Sequence, residues 1–223
     1  MYWKDEGYLL SKNNFDENSI IIETFTNDHG KYTGIVYGGS SRKHKKNFQI
    51  GNKILLNWNS KGENKIGYFS TELIKPISPL FFHSKEKSIS ILAASSILRL
   101  LLPERQINKK IYDSLEEFFN KLTYKNWIQL YILWELSLIK ELGFEIDILN
   151  KKFNKSLDNK SIIVNGKSFK IPKILSEKNI VNVKKSDIRD ALIFNRNLLN
   201  ENFIIPNNLR FPISRNILEK YYT

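Results

Sequence analysis

Five strand-like segments in the first 75 residues constrain the fold of this chain more than any other feature of its sequence. Each is about six to nine residues long and is rich in the β-branched and aromatic side chains that favour strands. Turn-forming residues such as Asn, Asp and Gly separate them. The segments are EGYLLSK, SIIIETFT, KYTGIVYG, KILLNWNS and IGYFSTELI.

Five strands in so short a stretch leave no room for a second sheet of comparable size, so the pattern predicts one small closed barrel. The five-stranded OB barrel fits this strand count, and its exposed face and loops commonly bind single-stranded nucleic acid. We therefore predict an OB-fold nucleic-acid-binding domain over residues 1–78.

Helical spacing replaces the strand pattern after the proline-containing linker at 76–82. One helix is predicted from a Ser84 cap to Leu102, where Pro103 stops it, and a second from Lys109 to Leu122. A third, within 126–144, is apolar almost all round, which predicts a position at the centre of a helical bundle.

The last third of the chain contains a hairpin signal and two further amphipathic stretches. Asn165-Gly166 predicts a small β-hairpin at about 151–171. The amphipathic stretches run from Asp187 to Leu199, with Ser186 as the predicted cap, and from Arg215 to Tyr222. The predicted fold class is α+β: the barrel, then a helical domain over 83–223 that carries the hairpin as an insertion.

The chain is strongly basic, with a net charge of +12 and a pI near 9.6. Most of that charge, +9, lies in residues 151–223, whereas residues 81–150 are neutral overall. A balance of this kind indicates a polyanionic partner, either nucleic acid or an anionic membrane surface.

One loop concentrates the charge within the predicted barrel. Residues 42–46 read RKHKK, after two glycines and two serines. Such a loop neutralises phosphates, releases counterions and binds without reading sequence. The candidate DNA contacts are this loop, other barrel lysines and two arginines that share one predicted helix face: Arg42, Lys43, His44, Lys45, Lys46, Lys31, Lys53, Lys61, Arg189 and Arg196.

Three strand aromatics near the loop are candidate stacking surfaces for bases, provided that they face solvent. Trp58 shares a strand face with Ile54 and Leu56, which favours a core position. Tyr32 and Tyr37 are an odd number of residues apart, so a regular strand turns them to opposite sides.

No catalytic, cofactor or metal motif is evident. The chain has no cysteine, and His29, His44 and His83 lack the spacing of metal ligands. Neither a phosphate-binding loop nor a dinucleotide glycine fingerprint is present. We therefore predict a non-enzyme with no cofactor and no metal. The acidic start MYWKDEGYLL is unlike a signal peptide, and the apolar run ISILAASSILRLLL is too short for a bilayer, so we predict no membrane partner and a cytoplasmic location.

The order of motifs resembles the bacterial recombination mediator family RecO. WKDEGYLLS, FTNDHGKYTGIVYGGSSR, QIGNKILLNW and GYFSTEL resemble the family's amino-terminal OB barrel. LLPERQ and WELSLIKELGFEIDI resemble its helical region and are the more specific part.

The resemblance implies a nucleoid-associated protein that binds single- and double-stranded DNA and anneals complementary strands. It also implies partnership with RecR and the single-strand DNA-binding protein in recombinase loading. The loop at 42–46 then takes the role of the family's DNA-contacting barrel loop. Two departures are visible: the region of the family's cysteine zinc ribbon has no cysteine, and Tyr37 and Asn59-Ser60-Lys61 stand where relatives tend to carry arginine.

The resulting hypothesis is sequence-independent DNA binding and strand annealing in recombinational repair. Two alternatives remain at this point. One is a protein-interaction adaptor whose basic surface binds an acidic partner tail. The other is an RNA-binding OB-fold protein, which would prefer RNA through its 2′-hydroxyl groups.

Overall fold

The computed structural model describes residues 1–41, 44, 46–62, 66–144, 161–176 and 183–223. The chain divides into two compact units, Met1–Asp113 and Ser114–Thr223. The fold combines a five-stranded sheet in the first unit with helices and a short hairpin in the second, so the α+β prediction is confirmed.

The first unit contains all five predicted strands. They are β1 (Tyr2–Asn14), β2 (Ser19–Thr26), β3 (Gly30–Tyr37), β4 (Lys53–Asn59) and β5 (Gly67–Lys75). Strand β1 pairs antiparallel with both β2 and β4, β2 pairs with β3, and β4 pairs with β5. A short parallel pair joins β3 to β5 through Gly34–Gly67 and Ile35–Tyr68, which closes the sheet in the order β1-β2-β3-β5-β4.

Apolar side chains from alternate strand positions fill the interior of this sheet. Trp58 is buried at its centre and stacks on Trp3, with ring centroids 5.6 Å apart. The core prediction for Trp58 is therefore confirmed. The other buried members of the cluster are Leu9, Ile20, Ile22, Val36, Phe48, Ile54, Leu56 and Phe69.

Gly30, at the start of β3, is required by both its backbone conformation and its surroundings. Its φ is +78°, and a Cβ there would lie 2.1 Å from the backbone oxygen of Gln106. We expect Gly30→Ala to lower the free energy of unfolding by about 2 kcal/mol or more, since left-handed strain adds to a backbone clash. Gly62→Ala is the matched control, because that position is open. Equal denaturant midpoints for the two variants would show that the fold does not require glycine at position 30.

Helices α1 (Lys85–Leu101) and α2 (Lys109–Asn120) follow a 3₁₀ turn at Ser78–Phe81, and a second 3₁₀ turn, Lys121–Thr123, extends α2. Ser84 precedes α1 as predicted, but its side chain makes no capping hydrogen bond. Instead the Ser84 carbonyl accepts from the Ser88 backbone N–H at 3.0 Å. Tyr112 of α2 is buried against Tyr8 and Phe25 within the first unit.

The second unit is built around α3 (Trp127–Glu141) and α5 (Lys185–Leu199), with a short α4 (Lys173–Ser176) and α6 (Ile213–Lys220). A π-helical turn, Asn200–Ile204, extends α5. The predicted Ser186 cap is wrong: Lys184 occupies the cap position, and its backbone N–H donates to Asp187 Oδ2 at 2.9 Å. Helix α3 is not buried all round either, because Leu133 is 51% exposed.

The predicted hairpin is present as β6 (Ser161–Val164) and β7 (Lys167–Lys170), joined at Asn165-Gly166. Its first predicted residues, 151–160, lie outside the described residues. Two polar contacts hold this hairpin, which has no cysteine. Lys167 forms an ion pair with Glu201 at 2.6 Å, and Asn165 Nδ2 donates to the Glu201 carbonyl at 2.8 Å.

Candidate nucleic-acid interface

The basic loop joins β3 to β4 and is anchored to the barrel at its carboxyl-terminal side. Phe48 is buried in the barrel core. Asn52 is also buried; its Nδ2 donates to the Asn47 carbonyl at 3.0 Å, and its Oδ1 accepts from the Ile77 N–H at 2.9 Å. These anchors fix where the chain re-enters the barrel, so the charged residues 42–46 directly precede a rigid base.

The structure describes two of the five predicted loop cations. His44 and Lys46 are exposed. Arg42, Lys43 and Lys45 lie outside the described residues. Lys61, in the turn after β4, is also exposed. These positions stay predicted DNA contacts.

Lys31 does not lie on an open surface, which corrects its prediction as a phosphate contact. It is 8% exposed, and its Nζ donates to the Arg99 carbonyl at 2.8 Å. Burial lowers the pKa of Lys31 from its ordinary value.

Lys53 is corrected for the same reason. It is 8% exposed and forms an ion pair with Glu6 at 2.5 Å. Its Nζ also lies 5.8 Å from the ring centroid of Tyr8 and 5.9 Å from that of Tyr112. Both lysines point away from the barrel core by strand alternation, but the segment around α1 and α2 covers that end of the outer face.

This difference in burial predicts different effects on DNA binding. We expect Lys61→Met to reduce the slope of log affinity against log salt by roughly one phosphate contact. We expect Lys31→Met to leave that slope unchanged, because the buried ammonium does not reach a phosphate. A salt titration of DNA binding by both variants checks this. A lower slope for Lys31→Met would show that Lys31 contacts a phosphate after all.

The second predicted surface, on α5, carries charges that are already partly paired. Arg196 is half-buried and forms an ion pair with Glu219 at 3.2 Å. Arg189 is half-buried and lies 3.5 Å from Asp190. Each pairing reduces the charge available to a phosphate. Both arginines stay predicted DNA contacts, and we expect each to contribute less to binding than a cation of the barrel loop.

The strand aromatics separate as alternation requires. Tyr32 packs against Trp3 and Trp58, with ring centroids 5.0 and 5.3 Å away, whereas Tyr37 is 67% exposed. The sequence reasoning missed two other outward tyrosines, Tyr2 and Tyr68, which are 68% and 38% exposed. Their alternation with the inward Trp3 and Phe69 was the signal that could have found them.

Two features are absent from the described ranges. No three His, Asp or Glu side chains come together there as possible metal ligands. Every helix in those ranges is too short or too polar to span a bilayer.

Comparison with known proteins gives matches over two-thirds of the chain. The family model described as Recombination protein O N terminal matches residues 1–77, and the one described as Recombination protein O C terminal matches residues 84–154. A protein of Ehrlichia chaffeensis named DNA repair protein RecO is 31% identical over 165 residues, which cover 73% of this chain and 67% of that protein. The chain belongs to the RecO family.

Other RecO proteins match a similar part of the chain. The one from a Wolbachia strain of Drosophila simulans is 34% identical over 150 residues, and one from Cereibacter sphaeroides is 32% identical over 146 residues. Both are named DNA repair protein RecO. These alignments cover 66% of this chain and 62% and 61% of the two RecO proteins, respectively.

Proposed function

We propose that this protein is a non-catalytic mediator of DNA repair and recombination. In this role it binds single- and double-stranded DNA without sequence specificity, promotes annealing of complementary strands and supports recombinase loading. The observation that carries the proposal is membership of the RecO family, whose models match both the barrel and the first helices, and whose compared members are named as DNA repair proteins.

We further infer that the amino-terminal sheet is an OB fold. Five strands, the order β1-β2-β3-β5-β4 and the short parallel pair between β3 and β5 support this inference. The proposed domains are 1–78 and 83–223. The gap between the two matched family regions supports that boundary, although the compact first unit extends through α1 to Asp113.

The proposed chemistry is phosphate neutralisation. Arg42, Lys43, Lys45 and Lys46 belong to one loop whose base is anchored by Phe48 and Asn52. Contacts to phosphate carry no sequence information, which fits a protein that acts on any strand. Annealing follows from the same property, because a polycation between two backbones offsets their mutual repulsion.

The proposed partners are RecR and the single-strand DNA-binding protein, both of which follow from the family resemblance. They would meet this protein at the DNA, so the proposed location is the nucleoid.

Annealing of two complementary labelled oligonucleotides tests the proposal. We expect the protein to accelerate duplex formation, measured by energy transfer between the labels, and high salt to abolish the effect. A protein that binds both strands yet leaves the annealing rate unchanged would contradict the mediator function while preserving DNA binding.

A further inference from the structure

Three exposed tyrosines lie together on the outer face of the barrel. The register aligns Tyr2 of β1 with Asn59 of β4, and Asn59 with Tyr68 of β5. Tyr37, at the end of β3, lies beside Tyr68 with ring centroids 6.0 Å apart and ring planes tilted by 53°. Tyr2 and Tyr68 are two strands apart, or roughly 10 Å, with the small polar Asn59 between them.

This end of the outer face is open, whereas the segment around α1 and α2 covers the other end, where Lys31 and Lys53 lie. Tyr37 and Tyr2 are each about two-thirds exposed, and Tyr68 is partly exposed. Single apolar residues are common on protein surfaces, but three aromatic rings in one strip form a patch that calls for an explanation. We name Tyr2, Tyr37 and Tyr68 the tyrosine strip.

Exposed cationic residues lie close in the sequence to the members of the tyrosine strip. Lys4, two residues after Tyr2 on the same strand face, is exposed. Lys61 lies in the turn that follows Asn59, and His44 and Lys46 lie in the loop that follows Tyr37. Exposed aromatic rings accompanied by cations match the composition of surfaces that bind single-stranded nucleic acid.

We propose that the tyrosine strip is a stacking platform for the bases of single-stranded DNA. This inference rests on the proposed DNA-binding function and adds a second type of contact to it. The cations bind the backbone, while the rings bind base faces, which every base presents whatever its sequence. A duplex keeps its base faces within its own stack, so the strip contributes to single-strand binding and not to duplex binding.

Three DNA probes of equal length separate the two types of contact: a thymidine oligonucleotide, a strand with the same backbone and abasic sites, and a duplex. We expect wild-type protein to bind the thymidine strand more tightly than the abasic strand, by about five- to 150-fold for each ring engaged. Replacement of Tyr37 and Tyr68 by serine should remove most of this difference, since only Tyr2 of the strip remains, and should leave abasic and duplex affinities unchanged. Replacement of both by phenylalanine should preserve it, because the rings remain.

Tyr124→Ser is the matched control, since Tyr124 is 54% exposed and lies outside the barrel. We expect it to change none of the three affinities. Equal wild-type affinities for the thymidine and abasic strands, with salt-dependent binding intact, would overturn the stacking platform and leave DNA binding standing. If the wild-type protein shows no salt-dependent binding to any of the three probes, both the stacking platform and the proposed DNA-binding function are overturned. A serine variant that weakens duplex binding equally would assign the tyrosines to structure rather than to base stacking.

Discussion

Replacement of Arg215 by methionine is expected to lower the free energy of unfolding by about 3–5 kcal/mol, since it leaves a buried carboxylate without its partner. Arg215 and Glu135 are both fully buried. Arg215 Nε donates to Glu135 Oε1 at 2.5 Å, and Nη2 donates to Glu135 Oε2 at 3.0 Å. This two-point geometry makes the pair a fixed junction between α3 and α6.

Other buried groups depend on the same carboxylate. The Tyr131 hydroxyl donates to Glu135 Oε1 at 2.7 Å, and Asn195 Nδ2 donates to Oε2 at 3.1 Å. Burial and the charge of Glu135 raise the pKa of Tyr131 well above its usual value. Burial is the largest effect and acts to lower the pKa of Arg215, but Glu135, Tyr131 and Glu219 together outweigh it and raise that pKa above the ordinary value. The network therefore keeps Arg215 charged and Tyr131 neutral.

Chemical denaturation of two further variants makes this prediction specific. Arg210→Met removes an exposed arginine and should change stability by less than about 0.5 kcal/mol. The double variant Glu135→Met with Arg215→Met removes both charges and should recover part of the loss, because the buried Glu219 keeps its ion pair with Arg196 while the Tyr131 hydroxyl loses its acceptor. An Arg215→Met variant as stable as Arg210→Met would show that the pair contributes little.

Replacement of Arg42, Lys43, Lys45 and Lys46 by alanine is expected to have the largest effect on DNA binding. If each cation contacts one phosphate, the slope of log affinity against log salt should fall by about 3.6 for duplex DNA and 2.8 for single strands. At low salt this corresponds to a loss of several orders of magnitude in affinity. Fluorescence polarisation over a salt series measures the slope directly.

A dispersed variant distinguishes the loop from net charge. Alanine at Lys85, Lys109, Lys125 and Lys140 removes the same charge from exposed positions outside the loop. We expect its salt slope to match that of the wild type. If the slope of log affinity against log salt falls by the same amount in the two quadruple variants, general electrostatic attraction rather than the loop governs binding.

Local patterns predicted much of this fold. The five strands, the Asn165-Gly166 hairpin and the main helices follow from alternation, turn residues and helical spacing. Alternation also predicted that Trp58 is buried. These features depend on residues close together in the sequence, so local sequence patterns are enough to predict them.

Features that depend on distant residues were not predictable in this way. Alternation turns Lys31 and Lys53 outward, but only the path of the chain through 99–112 shows that their end of the barrel is covered. Glu135 and Arg215 are 80 residues apart, and no local pattern links them. The tyrosine strip requires the strand order, which brings Tyr37 of β3 next to Tyr68 of β5.

Fluorescence polarisation of the wild-type protein with equal-length single-stranded DNA, duplex DNA and RNA, over a salt series, tests the central claim most directly. The proposed function predicts a steep salt slope that is independent of sequence, with DNA bound at least as tightly as RNA. Weak binding to all three would show that the positive charge serves a protein partner, and a clear preference for RNA would place the protein in RNA metabolism.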